Sequence, residues 1–309
     1  MSEKLILTPE IFMIDAAKWC EQIELFIRKK FEASHLSGIV VPISGVLDSS
    51  VVAALCARAV GKDKVLGLML PERLGNPEAT HYGQLIAKHL GIRTARFNIS
   101  PILRGLRTSN LFLSAISGRE FWKNTVDRYL LKKNQTARIL YLDAMKGQLD
   151  PRSRKLIAQV SSKQRARLLA TYKFAEEENF MVAGSSHKTE QMVGLFVKYG
   201  IDDGADIMPL KNIYRSQTLQ LAKFLEIPDE ILFRTPNPDI LPGITDKYIG
   251  YFGIDYLKVE LICVGSQNGM SADEIACQLE IDVQIVRQMV DIIPLCERSR
   301  SHAEAPELI

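Results

Sequence analysis

The sequence predicts an α/β fold of three layers, α/β/α. A mainly parallel sheet of about five strands lies between helices, with further helices at the N- and C-terminal ends. Three observations carry this. Short β-branched runs alternate with amphipathic stretches of about 10 to 15 residues, the rhythm of βαβ units. The run Ile39, Val40, Val41 and Ile43 is the kind a central parallel strand shows when both faces are covered. Directly after it, small residues (Ser44, Gly45, Asp48, Ser49 and Ser50) turn the chain into a helix that continues VVAALCARAV.

The other elements follow in order. Residues 9–33 carry Ile11, Phe12, Ile14, Trp19, Ile23, Phe26 and Ile27 near helical spacing, a leading helix. The spacing predicts a strand at 64–70, a helix at 76–90 stopped by Gly91, and a strand at 93–99. Residues 101–161 are looser, with helical pieces at 120–131 and 137–145 broken by Gly118, Gly147 and Pro151. A clear helix returns at 163–179, then a short apolar strand, FMVAG, ending at Ser185, Ser186 and His187. A last strand is expected at 206–210 and a helix at 214–225, before the Pro-rich loop RTPNPDILPG. Ser271 and Glu274 form a capping box that opens a helical hairpin over 271–295. Such a hairpin either reads DNA or packs on the body; its second helix shows little positive charge, which favours packing. The whole chain, 1–309, is expected to form one domain.

With 309 residues, 47% of them hydrophobic, the chain can bury a sizeable core. A formal charge of +3 gives no argument for nucleic acid or membrane, but it hides an asymmetry. Residues 101–173 hold 16 Lys and Arg against 4 Asp and Glu, while the remainder holds 23 against 32. That block is a solvated helical face, a partner surface or a site for polyanions. Cys20, Cys56, Cys263, Cys277 and Cys296 lack CxxC spacing and suit a reducing compartment. No basic-then-apolar leader and no apolar run near the length of a membrane span is present, so a soluble, cytoplasmic protein is expected.

The stretch 39–50, IVVPISGVLDSS, has the chemistry of a phosphate cradle. The first amides of a helix have no partners within it, and its dipole attracts anions there. The alternative is an ordinary βα turn with Ser and Asp caps. Neither GxxxxGK[ST] nor GxGxxG occurs, which excludes the Walker loop and argues against the dinucleotide fingerprint.

The segment SGVLDSS resembles the SGGxDS loop of the N-type ATP pyrophosphatases, which cleave ATP between its α and β phosphates to adenylate a carboxylate or a base. Residues 181–215, MVAGSSHKTEQMVGLFVKYGIDDGADIMPLKNIYR, resemble the ammonia-dependent NAD synthetases within that group. KQRAR at 163–167, TPNPDILPGITDK at 235–247 and the capped hairpin resemble further segments of that family, the second of them a loop ending Gly-Gln-Thr-Asp-Glu. The resemblance spans about residues 10–300, weakest over 101–161, and implies an adenine nucleotide alpha hydrolase-like fold. It implies ATP as co-substrate, Mg²⁺ as the ion, and adenylation of the pyridine carboxylate of nicotinic acid adenine dinucleotide (deamido-NAD). Ammonia would then give NAD, AMP and pyrophosphate. It also implies a homodimer. No nitrilase-like glutaminase segment precedes the cradle, so ammonia is expected free or from a supplying partner.

Matching positions carry the family's roles. Asp48 and Glu190 match the Mg²⁺ ligands and, with Arg215, the catalytic set. Ile43, Ser44, Gly45, Val46, Leu47, Asp48, Ser49, Ser50, Ser185, Arg215 and Asn237 match the ATP contacts. Arg165, Lys198, Asp206 and Arg298 match the deamido-NAD contacts, and guanidinium suits phosphate there. The alternative for Glu190 is a first-turn acid favoured by the helix dipole.

The chain departs from the pattern at several points. Val46 replaces a glycine, and were φ positive there, a β-branched residue would cost about 1–3 kcal/mol. Restoring glycine is then expected to raise pyrophosphate release. Arg215 stands for a lysine, Asn237 for a threonine and Ser185 for a threonine. Ile201 looks inserted, which leaves Asp202 and Asp203 as alternatives for one family position. CERSR at 296–300 stands where the family has a Ser-Glu-His-Lys-Arg type segment. Two other readings stay open: a sibling ligase acting on another carboxylate or on tRNA, and a non-catalytic nucleotide-binding homologue.

Overall fold

The structure is a computed structural model that describes residues 5–73, 75–108, 137–236, 244 and 246–301. Among the described residues, four parallel strands form the sheet: β1 (Gly38–Pro42), β2 (Val65–Met69), β3 (Arg93–Arg96) and β4 (Phe180–Val182), in the order β3-β2-β1-β4. Ile39 stands opposite Val65 on one side and Met181 on the other. Where a fifth strand is expected, residues 206–210 touch the sheet through a single parallel bridge, Ala183 to Ile207. The side chain of Asp206 accounts for this: its Oδ2 accepts from the Val182 N–H at 2.8 Å, taking a donor that a neighbouring strand's carbonyl would use.

β1 explains the layering. Ile39 and Val41 pack into the core with helices α1 (Ala16–Ser34) and α2 (Leu47–Val60), while Val40 packs on the opposite face with Ala175 and Phe180. Alternate side chains of a strand point to opposite faces, so a strand covered on both is apolar at every position. α3 (Ala79–Leu90) joins the first face through Ile86 and Ala87, and Gly91 ends it at φ +66. α4 (Ser100–Gly105) lies on the other face through Leu103.

Two helices differ from expectation. The leading helix begins at Ala16, because Asp15 accepts from the Lys18 N–H and caps it; residues Pro9–Phe12 form a separate 3-10 turn. The helix expected at 163–179 starts twelve residues earlier. After α5 (Ala137–Lys146), α6 runs Pro151–Glu178 without a break. Pro151 is its first residue, where a missing N–H costs nothing, and Asp150 caps it with bonds from Arg152 and Ser153. The helix expected at 120–131 lies outside the described residues.

The remaining helices are short until the C-terminus: α7 (Lys188–Val193), α8 (Arg215–Phe224), α9 (Asp229–Leu232), α10 (Lys247–Phe252), α11 (Tyr256–Gln267), α12 (Ala272–Leu279) and α13 (Val283–Arg300). α12 and α13 form the hairpin, and Ile275, Leu279, Val286, Met289 and Ile292 bury its inner face in a second core with Tyr248, Phe252 and Val259. Among the described residues, no helix is long and apolar enough to cross a membrane. Cys20, Cys56, Cys263 and Cys296 are buried and Cys277 is exposed, all as free thiols.

Candidate active site

The strand order fixes where a ligand can enter. Chain leaving β1 continues to β2 on one side, and β4 joins on the other, so the loops after β1 and β4 diverge at their carboxyl ends. Open parallel sheets bind ligands in such a crevice. A cleft of about 360 Å³ opens there, walled by the β1 loop, the β2 end, α5, α6 and the segment after β4.

The β1 loop is tightly held. Gly45 has φ +66, and a Cβ on it would come within 2.1 Å of the Tyr82 Cβ and 2.5 Å of the Tyr82 carbonyl carbon. Only glycine meets both demands. Val46 corrects the expectation of strain: it sits at φ −93, ψ 162 as the N-cap of α2, extended backbone that valine adopts freely. The hydroxyls of Ser49 and Ser50 turn inward onto the Val46 carbonyl, at 3.2 and 2.9 Å, and Ser49 Oγ accepts from the Ser44 N–H at 3.4 Å. Arg234 fastens the loop from outside, donating to the Gly45 carbonyl at 2.8 Å with its guanidinium 3.8 Å from the Tyr82 ring centroid.

Asp48, in the first turn of α2, and Glu190, in the first turn of α7, come together with His187. One ligand atom from each lies within 4.8 Å of the other two. His187 Nε2 is 3.9 Å from Asp48 Oδ2 and 3.8 Å from Glu190 Oε2. Both carboxylates also face cations. Arg215 Nη1 is 3.4 Å from each Asp48 oxygen, and Lys247 Nζ bonds Glu190 Oε1. Glu190 Oε2 accepts from Ser186 Oγ at 3.1 Å and from the His187 N–H at 3.4 Å.

These contacts set the protonation of the cluster. Burial pushes the Glu190 carboxyl up, but Lys247 and then His187 outweigh it and hold it well below the usual carboxylate range. His187 is buried, and loss of hydration pushes its imidazole below its ordinary value despite both carboxylates. Its Nδ1 is buried and has no hydrogen-bond partner among the described residues. Asp202, on the cleft wall, is raised to about 7 by desolvation and then by the charge on Glu190.

Behind the cluster, a buried relay joins the two helix starts. Glu260, fully buried on α11, accepts from Thr189 Oγ1 at 2.5 Å and from the Ser216 N–H at 3.3 Å. Thr189 Oγ1 in turn accepts from the Arg215 N–H at 3.1 Å.

The structure gathers part of the expected set at the cleft. Ile43, Ser44, Val46, Asp48, Ser185, Glu190, Arg165 and Lys198 line it. Arg215 stands behind Asp48, only 4% exposed, and Gly45, Leu47, Ser49 and Ser50 support the loop from within rather than line the cleft. Arg165 donates twice to the Lys198 carbonyl, at 3.3 and 3.2 Å, so these two are neighbours. Asp206 is not on the cleft wall; its oxygens are engaged by Tyr172 and the Val182 N–H. Of the alternatives at the insertion, Asp202 lines the cleft, whereas Asp203 is buried and accepts from the Tyr199 N–H at 2.9 Å. Asn237 lies outside the described residues, and of Arg298 only its place on α13 is described.

Sequence reasoning missed His187, Lys247, Glu260 and Arg234. Lys247 had a signal: it ends the stretch ITDK, where the resembled loop ends in glutamate. Glu260 had only a lone acid on an otherwise apolar helical stretch, VELICV.

Fold and cleft together define an α/β enzyme with acidic side chains and a helix-start loop at the switch point of a parallel sheet, the arrangement of proteins that handle phosphate esters. The NAD synthase family matches residues 19–139 and 123–303, and the chain belongs to that family. The NH(3)-dependent NAD(+) synthetase of Thermotoga maritima is 33% identical over 283 residues, 91% of this chain and 96% of the relative. That of Thermotoga neapolitana is 36% identical over 244 residues, 78% and 82% of the two chains. That of Methanocaldococcus jannaschii is 31% identical over 287 residues, 93% and 95%. Among solved structures, the NMN synthetase of Francisella tularensis superposes with a TM-score of 0.69 at 19% identity, over 96% of this chain and 100% of that one. The NH3-dependent NAD synthetase of Campylobacter jejuni superposes at 0.66 and 19%, over 95% and 100%. At such identities these two bear on the fold.

Proposed function

We propose that this chain makes NAD by ATP-driven amidation of deamido-NAD with ammonia. The observation that carries the reading is the convergence of Asp48 and Glu190, from separate crossovers, on one cleft at the sheet's open rim. Relatedness over most of both chains supports the particular reaction.

The chemistry follows from charge. A triphosphate and a carboxylate repel, so the first step needs neutralisation and alignment. The donor set fits Mg²⁺: two hard carboxylates stand within reach of one ion, at the mouth of a phosphate cradle. Asp48 and Glu190 would hold Mg²⁺, which supplies neutralising charge to the polyphosphate. The β1 loop and the start of α2 offer backbone N–H groups to the departing pyrophosphate. Arg215 holds Asp48 in place, and Ser185 stands on the cleft wall where it would contact ATP. Arg165 and Lys198 bring positive charge for the dinucleotide's own phosphates. The substrate carboxylate oxygen bonds to the α-phosphorus as the bond to the pyrophosphate oxygen breaks. Ammonia nitrogen then bonds to the acyl carbon, AMP leaves with its oxygen, and the surplus proton passes to solvent. We further read the protein as one cytoplasmic domain acting as a homodimer, on free ammonia or on ammonia from a partner.

Purified protein with ATP, Mg²⁺, deamido-NAD and ammonium should release AMP and NAD in equal amounts. AMP formed only when tRNA or a different acid is supplied favours the sibling ligase. Nucleotide binding with no pyrophosphate release under any of these mixtures refutes the enzymatic reading.

A further inference from the structure

We propose that Lys247 is a built-in cation that occupies the metal position on Glu190 until a nucleotide arrives, so that the cleft takes up its divalent ion only together with ATP. The proposal rests on the reading of Asp48 and Glu190 as metal ligands.

The two carboxylates are already balanced by two cations of the chain itself, Arg215 and Lys247. Those cations are not equivalent. Both are buried, Arg215 at 4% and Lys247 at 7% exposure, but Arg215 is set back from the cleft: its guanidinium lies 5.6 Å from the Tyr256 ring centroid, and its backbone N–H is tied to Thr189. It is absent from the cleft wall. Lys247 is on that wall, at the first turn of α10, next to Glu190 and on the same wall as Asp202. Its ammonium is a compact point charge on a flexible stem, whereas guanidinium is a rigid fork. It is therefore the cation that can act in place of a metal ion and then leave.

Charge counting makes the exchange conditional. Two acids and two bases sum to zero. A divalent ion entering with both bases in place would leave +2 in a shielded cluster, which is costly. An incoming triphosphate supplies the negative charge that both the ion and the released ammonium require. Lys247 then moves from Glu190 to a phosphate oxygen, and Glu190 is freed for the metal. No covalent bond changes in this exchange.

The test uses the intact protein and Mn²⁺ as probe, followed by electron paramagnetic resonance. Without nucleotide, wild type should bind Mn²⁺ weakly. Lys247→Gln should bind it about tenfold or more tightly, because Glu190 loses its competing cation. Lys247→Met should repeat the gain, and Lys247→Arg, which keeps the charge, should behave as wild type. Glu190→Gln combined with Lys247→Gln should abolish it. With a non-hydrolysable ATP analogue, wild type should form a protein-bound Mn²⁺ complex that Glu190→Gln does not. Equal Mn²⁺ affinity in wild type and both neutral variants, with the nucleotide complex of wild type intact, overturns the proposal and leaves the ligand assignment standing. Loss of Glu190 dependence in every sample overturns both. Tight Mn²⁺ binding by wild type without nucleotide overturns the proposal alone.

Discussion

The two crossovers that meet at the cleft are built differently. The loop after β1 is held mostly by its own residues: Ser44, Val46, Ser49 and Ser50 satisfy one another within a span of seven positions. The segment after β4 keeps local bonds from Ser186 and the His187 N–H to Glu190, but its functional side chains are also held from far along the chain. Glu190 pairs with Lys247, Thr189 bonds Glu260, and Arg215 reaches back to Asp48. One rim is thus set by local geometry and the other by tertiary packing. Local damage should disturb the first, while distant substitutions should disturb the second.

The largest expected effect joins the two rims. Asp48→Asn leaves Arg215 charged and buried without its partner, which should lower stability by about 3–5 kcal/mol. Urea unfolding at neutral pH measures this, and the same variant should slow pyrophosphate release by about 10²- to 10³-fold. Gly45→Ala tests the local rim. It requires a Cβ at φ +66 against Tyr82, and should cost about 2–4 kcal/mol by thermal unfolding. Thr189→Val tests the distant one. It removes the hydroxyl between Glu260 and the Arg215 N–H, leaving buried polar atoms unpaired, and should cost about 1–3 kcal/mol.

Much of this contrast was legible in the sequence. The β1 strand and its cradle are contiguous, so their periodicity and small residues announce them. The same holds for Asp48, and for Glu190 once the second strand and helix start are seen. The partners were not legible. The stretch ITDK singles out Lys247 without placing it, and nothing local marks Glu260 or Arg234 as neighbours of those loops; only the packing of α10 and α11 and the placement of Arg234 bring the three there. Val46 shows the opposite error. The pattern puts glycine at that position, but the backbone turns one residue earlier, at Gly45, and leaves Val46 extended.

Two smaller effects sharpen the comparison. The Asp202 carboxyl, raised from its ordinary 3.8 to about 7, holds its proton in the folded state after the unfolded chain has lost it. Stability from this group is therefore complete at acid pH and is lost as pH rises through about 7. Asp202→Asn should flatten that decline in urea midpoints measured between about pH 4 and 8. Val46→Gly should have the smallest effect. At φ −93 glycine relieves nothing and adds freedom to the unfolded chain, a loss of about 0.5–1 kcal/mol. Its pyrophosphate release should stay within about twofold of wild type.

That Asp48 and Glu190 act on one nucleotide from two crossovers is tested most directly by a double-mutant cycle on pyrophosphate release, using Asp48→Asn, Glu190→Gln and the pair together. If both serve the same ion and phosphate, the double variant should be no slower than the slower single one. Losses that simply multiply would mean that the two carboxylates work independently, and would contradict the shared site.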